Sequence, residues 1–409
     1  MLTRLLAVAA ASAIACSIAQ AEVVRMAYID PFTGPAASIN DNAVKTLKSV
    51  VDIANRNNWA GGHTLEVVEF DGRGNPQESL LQLKNATDQG IRYVVQGLSS
   101  SVAAALIEAV AKHNERNPGK ELVYLNATNQ APELTNEKCS FWHFRFDSHA
   151  EIRAAALSSV LAKDKNLKKV YLINQNYALG QQTSAAVRAG LRQRRPDIEI
   201  VGDDLHPMLA VKDFSPYVTK IKASGADAVV TANWSGDLTL LLKAAKDASL
   251  KVPFYTFNAG TTGIPAAMAA AGLDGVRNVT YWNPNDDPEA ARPILDAFSK
   301  KYSDDFVVLP YYSLVAILSK GIATARSTDP VKVASAMEGL KTRSLNGEIE
   351  MRREDHQLLQ PLLVASWTRR DGKDVQFEQE KTGYGWKTVE KVDAQVSAQP
   401  SSCRMKRPA

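Results

Sequence analysis

The chain has 409 residues, 48 Lys+Arg against 44 Asp+Glu, and 45% hydrophobic and 22% charged residues. That composition excludes whole-chain disorder, collagen and a simple coiled coil. The net charge of +4 is spread over interspersed signs with no basic stripe, so nothing points to nucleic acid.

Residues 1–21 read as a cleavable export leader. Arg4 is their one charge, an apolar run extends from Leu5 to Ile18, and Ala19-Gln20-Ala21 is a small-x-small cleavage site before Glu22. The run is short for a transmembrane anchor. A lipoprotein would use Cys16, but Ile14 fits that cleavage pattern poorly. The mature protein is therefore expected in the periplasm. Cys139 and Cys403 remain as an even pair in an oxidising compartment, and one disulfide between them is the expectation. Two free thiols are the alternative.

In chain order, Val23–Ile29 predicts a strand, broken by Asp30-Pro31-Phe32-Thr33-Gly34-Pro35. Ala43–Asn58 has helical apolar spacing, and Thr64–Phe70 alternates as a strand. Gln77–Gln89 predicts a helix with Pro76 near its first turn. Strand Arg92–Gln96, helix Val102–Asn117 and strand Leu122–Leu125 follow. After a polar stretch near Phe141–Ala150 the rhythm restarts. It gives strands at Lys169–Ile173, Ile198–Val201, Ala228–Thr231 and Pro253–Phe257, and helices at Gln181–Arg195, Phe214–Ser224 and Leu238–Ala248. Alternating strands and helices predict an α/β fold with parallel sheets covered on both faces, built as two similar lobes. Helices are then expected at Pro288–Tyr302, Tyr311–Thr324 and Pro330–Leu340, and strands at Leu345–Met351 and Leu362–Thr368. The tail from Gly372 is polar and weakly patterned.

Motifs for nucleotide binding, serine hydrolysis and zinc proteolysis are absent: no GxxxxGK[ST], GxSxG, HExxH or GxGxxG occurs. Asp71-Gly72-Arg73-Gly74-Asn75 is a poor calcium loop, because Arg73 would repel the ion. No catalytic residue, metal site or cofactor is assigned. Ligands of open parallel sheets bind beyond the carboxyl ends of the strands. There the sequence places Gly97–Ser101, Asn126–Asn129, Asn174–Gly180, Asn233–Gly236 and Asn258–Gly260. Ser100 and Ser101 open a helix whose first N–H groups suit a carboxylate, and Thr128 can assist. A plain helix cap is the alternative role for Ser100. Phe32, Tyr177, Trp234 and Phe257 can wall a pocket.

Four segments carry a family resemblance. They are Phe32-Thr33-Gly34-Pro35, with Asp71 after the second strand, then Arg92–Ser101 followed by Asn126-Ala127-Thr128-Asn129-Gln130-Ala131-Pro132-Glu133-Leu134-Thr135, and Asn176-Tyr177-Ala178-Leu179-Gly180. Together they resemble the type I periplasmic binding proteins, in particular the leucine/isoleucine/valine-binding proteins of ABC importers, over roughly residues 23 to 365. The resemblance implies two Rossmann-like lobes joined by three hinge crossovers, near Asp147, Tyr281 and Arg353. One lobe would hold 22–147 and 281–352, the other 148–280 and 353–409 with the tail. Ligand would lie in the cleft, trapped by hinge closure.

The resemblance further implies that Ser100 and Thr128 hold the ligand carboxylate, that the Asn126 carbonyl meets an ammonium, and that Tyr177 and Trp234 reach in from the second lobe. Asn258 stands where the family has an acidic partner for the amino group, and Asp237 is the nearby candidate to restore that charge. The implied function is capture of a small amphipathic carboxylate, a branched-chain amino acid or an aromatic carboxylate or amide, by a monomer that delivers it to an inner-membrane ABC permease. An exported hydrolase or a sensor subunit is the alternative class.

Overall fold

The computed structural model describes residues 21–34 and 37–408. The expected leader, apart from Ala21, and Pro35 of the first turn lie outside the described residues.

The first half alternates as the apolar spacing predicts. In order come β1 (Val23–Asp30), α1 (Ala37–Arg56), β2 (Thr64–Asp71), α2 (Pro76–Asp88), β3 (Tyr93–Gln96), α3 (Ser100–Arg116), β4 (Val123–Asn126) and β5 (His143–Arg145). Asn75 caps α2 by accepting the N–H groups of Gln77 and Glu78, and Pro76 opens the helix where its missing N–H is not needed. The five strands form one parallel sheet in the order β2-β1-β3-β4-β5. Helices cover both faces, so β3 and β4 are wholly buried.

The second half contains α4 (Ala150–Leu161), β6 (Lys169–Gln175), α5 (Ala178–Arg194), β7 (Glu199–His206), α6 (Ser215–Ser224), β8 (Ala228–Thr231), α7 (Ser235–Asp247), β9 (Phe254–Thr256), α8 (Ile264–Ala270) and β10 (Arg277–Thr280). Alternation along β6 divides its side chains between two cores: Val170 and Leu172 pack on one face, Tyr171 and Ile173 on the other. The chain then returns to the first lobe through α9 (Pro288–Tyr302), α10 (Leu309–Ala325) and α11 (Pro330–Met337), whose Phe298, Leu314, Ile317 and Met337 join the core containing β1 and β3. A small antiparallel sheet, β11 (Lys341–Ser344), β12 (Gly347–Met351) and β13 (Leu358–Leu359), follows. Finally β14 (Leu362–Arg369) and β15 (Tyr384–Val392) extend the second sheet antiparallel, in the order β7-β6-β8-β9-β10-β14-β15, before the short α12 (Ala394–Ser397).

The structure corrects the sequence reading in three places. The stretch taken as a polar break contains β5 and leads directly into α4. Most residues of α4 are buried, so it shows no one-sided apolar stripe to detect. The weakly patterned tail contains β15, which exists because β14 offers an edge to pair with. The third crossover lies at Gln360–Pro361, not near Arg353. The backbones of Arg145 and Gln357 bridge in parallel, and His356 stacks on Phe144 with ring centroids 4.0 Å apart, holding that segment on the first lobe.

Cys139 and Cys403 form a disulfide with Cα atoms 5.7 Å apart. The tail thus leaves the second sheet after β15 and ends on the first lobe. There Ser402 N–H donates to Asn136 Oδ1 and Arg407 Nε to Glu338 Oε1 at 2.8 Å.

Candidate functional site

The carboxyl ends of β1, β3 and β4 bring three turns together in the first lobe. Asp30 ends β1 and lies buried beneath the turn after β3. Its carboxylate accepts the N–H groups of Gly97 at 2.8 Å and Leu98 at 3.0 Å, and Gln96 Nε2 at 3.2 Å. Burial pushes Asp30 up to about 7, against the pull of those hydrogen bonds. Gly97 is required by close approach: a Cβ there would stand 2.6 Å from Thr128 Oγ1 and 2.7 Å from the Tyr311 hydroxyl oxygen. Thr128, Tyr311 of α10 and the Asp30 carboxylate therefore share one small space around that glycine.

The helix opening onto this space begins at Ser100, as expected, but its cap is Ser99. Ser99 has φ 80 and ψ 106, a conformation that non-glycine residues rarely adopt and that marks strain held by its surroundings. Its hydroxyl makes no cap hydrogen bond and instead lies 2.8 Å from the hydroxyl of Ser101. Among the described residues no partner engages the backbone N–H groups of Ser99, Ser100, Ser101 or Thr128. They are uncommitted donors at the amino end of a 17-residue helix, where partial positive charge collects. Ser99 went unremarked in the sequence, although in a run of three serines the first is the natural cap.

Two first-lobe residues are engaged differently from what the resemblance implies. Thr128 donates its hydroxyl proton to Gly97 O at 2.8 Å, so its backbone N–H is the ready donor. The Asn126 carbonyl already accepts the Phe146 N–H at 2.9 Å, and its side chain accepts from Asn129 within the buried floor. Phe32 is half-buried at the lip, edge-on to Tyr28 with centroids 5.8 Å apart, and its N–H donates to Asp71.

In the second lobe, Tyr177 and Trp234 cap α5 and α7 at the ends of the adjacent strands β6 and β8. Both are half-buried, and Trp234 Nε1 donates to the Tyr177 hydroxyl oxygen at 2.9 Å. Burial pushes the Tyr177 hydroxyl up to about 12. Asn258 follows the next strand, β9; its amide nitrogen donates to Ala232 O at 2.9 Å. Phe257 is buried and gives its carbonyl to Arg153 rather than lining a surface. Asp237 does not supply a free charge. It is 1% exposed and accepts from Gln175 Nε2 at 2.7 Å and Leu209 N–H at 2.8 Å.

The lobes meet through buried polar contacts at the first crossover. Arg153 pairs with Asp147 at 2.8 Å, donates to the carbonyls of Ser148 and Phe257, and reaches the Tyr281 hydroxyl of the second crossover. Burial raises Asp147, opposed by Arg153. Gln182 of α5 donates to Glu133 of the first lobe at 2.9 Å. A separate cavity of about 850 Å³ lies between α3 and the tail, lined by Ile107, Ala111, Trp142 and Arg407, away from the strand-end turns.

No group of three or more His, Cys, Asp or Glu side chains among the described residues is placed to hold a metal ion. No histidine ring among them hydrogen-bonds a serine, threonine or cysteine side chain. No described helix is long and apolar enough to cross a membrane.

Comparison with known proteins agrees with this architecture. The family model described as periplasmic binding protein matches residues 23–373. A Leu/Ile/Val-binding protein homologue from Brucella melitensis biotype 1 is 33% identical, over 98% of this chain and 97% of its own. The crystal structure of a leucine-, isoleucine-, valine-, threonine- and alanine-binding protein from Brucella ovis, in a closed conformation, superposes with a TM-score of 0.86. It is 30% identical and covers 95% of this chain and all of its own. A solute-binding protein from R. palustris in complex with 4-hydroxybenzoate shares the fold, with a TM-score of 0.75 and 21% identity over 91% of this chain and 97% of its own. The chain belongs to the type I periplasmic binding proteins, in the branched-chain amino acid family of ABC-transporter receptors.

Proposed function

We propose that this protein is a periplasmic receptor that captures a small amphipathic carboxylate between its lobes and delivers it to an ABC permease in the inner membrane. The observation that carries the reading is the set of uncommitted N–H donors on Ser99, Ser100, Ser101 and Thr128, in two turns that Gly97 lets touch. Hydrogen bonds to a charged partner contribute about 1.5–3 kcal/mol each. Two or three of them, with apolar burial against Phe32, Tyr177 and Trp234, can reach the roughly −8 kcal/mol of micromolar binding after ordering costs. The names of the Brucella relatives support an aliphatic amino acid as the ligand, and the 4-hydroxybenzoate complex of the structural neighbour supports an aromatic acid. Both carry the carboxylate that the first lobe suits. Capture and closure need no covalent step, and the match to the periplasmic binding protein family favours a receptor over a hydrolase.

A thermal-shift screen of amino acids, aromatic acids and amides on the mature chain tests this, since a ligand of the native state raises its melting temperature. The best acid is then compared with its methyl ester. The ester is expected to bind at least about ten-fold more weakly, having lost the charge. An ester that binds as well as the acid removes the carboxylate site.

A further inference from the structure

We propose that the second lobe selects a ligand end that is a hydrogen-bond acceptor rather than a cation, so that the receptor prefers 2-oxo or hydroxyaryl acids to amino acids. This rests on the carboxylate reading above and narrows it.

The argument starts from an indole. Trp234 Nε1–H can only donate, so its 2.9 Å contact with Tyr177 fixes the direction: the tyrosine oxygen accepts. The phenolic proton of Tyr177 then has no acceptor among the described residues. With the hydroxyl held up to about 12 by burial, that proton stays in place throughout the neutral range. Tyr177 and Trp234 end adjacent strands, so the pair stands as one unit at the strand ends of the second lobe. What it offers a ligand is an O–H donor backed by an aromatic wall. A carbonyl, carboxylate or hydroxyl oxygen satisfies that donor, and an ammonium does not.

The neighbouring groups supply no compensation for a positive charge. Asn258, at the next strand end, is neutral, 7% exposed, and turns its amide N–H inward to Ala232 O. In the turns 174–180, 232–237 and 257–263 the one carboxylate is Asp237. It is committed to Gln175 and Leu209, with His206 Nδ1 4.0 Å away. Across the gap, Asp30 is held by backbone N–H groups, Glu133 by Gln182 and Asp147 by Arg153. Glu151 stands at the crossover, 3.7 Å from His149 Nδ1. An ammonium enclosed between the lobes would leave water without a dedicated countercharge, which is costly.

Calorimetry on the mature full-length chain tests this with matched pairs. These are leucine against 4-methyl-2-oxopentanoate, phenylalanine against phenylpyruvate, and benzoate against 4-hydroxybenzoate. The better 2-oxo acid is expected to bind at least about ten-fold more tightly than its amino acid, the worth of about one hydrogen bond left unmade. 4-Hydroxybenzoate is expected to bind more tightly than benzoate, and Tyr177→Phe to abolish that advantage. Amino acids that bind as well as, or better than, their 2-oxo counterparts overturn the proposal while leaving the carboxylate site intact. So does a hydroxybenzoate advantage that survives in Tyr177→Phe. No binding by any of these acids overturns the carboxylate reading and this proposal with it. The wild-type pairs decide the question even if the variant fails to fold.

Discussion

Gln182, in the second turn of α5, donates its Nε2 to Glu133 Oε2 at 2.9 Å, joining two residues that belong to opposite lobes. Glu133 lies in the short turn after β4 whose Pro132 and Leu134 are buried in the first lobe, while Val187 and Leu191 anchor α5 in the second. The Gln182 Oε1 on the same amide is buried without a partner. A contact between the lobes is expected to be lost when they part, so this bond is expected to favour closure. Gln182→Ala is expected to weaken ligand binding by about three- to ten-fold, the worth of one net hydrogen bond. The melting temperature of the ligand-free protein should stay close to wild type. Calorimetry reads the affinity, and small-angle scattering should show a more open ligand-free ensemble. Unchanged affinity would show that closure does not depend on this contact.

Asp30 is expected to couple the first-lobe site to pH. Its folded pKa of about 7 lies above the ordinary 3.8, so between these values the native state holds a proton that the unfolded chain has released. Native stability therefore falls as pH rises from about 4 to 7 through this group, and levels off above. A ligand carboxylate placed by Thr128 brings a second negative charge beside Asp30, and this pushes the Asp30 proton affinity higher still. Affinity should rise as pH falls from 8 to 6, with proton uptake seen as a buffer-dependent binding heat. Asp30→Asn should flatten the pH dependence. A wild-type affinity that is level across this window, with no proton uptake, would rule the coupling out.

The disulfide closes a stretch of 264 residues that contains the whole second lobe. Cys403→Ser should lower the unfolding free energy by about 2–4 kcal/mol, mainly by freeing the denatured chain. Urea titration of both forms, with and without a reductant, measures this. The wild-type protein should lose stability on reduction and the variant should not.

Arg153 is 4% exposed and ties together Asp147, Ser148, Phe257 and Tyr281. Removing one partner of a buried pair leaves the other charge unmatched. Arg153→Met is therefore expected to destabilise by about 3–5 kcal/mol. Thermal melts in the presence and absence of Asp147→Asn provide the check. The double variant should recover part of the loss, because the stranded carboxylate is gone.

Much of the fold was legible locally. Apolar runs of strand length alternating with helical stripes are set by neighbouring residues alone, so β1, β3, α2 and α9 appear within a residue or two of where their spacing places them. The serine turn and the aromatics Tyr177 and Trp234 were visible for the same reason: each follows a strand that can be read from its own sequence. Elements that depend on distant partners were not. β15 is stabilised by β14, α4 is apolar on too many sides to show a stripe, and the third crossover was displaced by the pairing of Arg145 with Gln357.

The direction of a hydrogen bond and the availability of a charge also belong to the tertiary level. The sequence alone determined which chemistry stands at the strand ends: hydroxyls and free N–H groups in one lobe, aromatics and amides in the other. Only folding decided that Asp237 turns inward to Gln175, that Trp234 commits the Tyr177 oxygen, and that Glu133 meets Gln182. Those relationships join residues 49 to 62 positions apart, and no local rule of spacing reaches across such a distance.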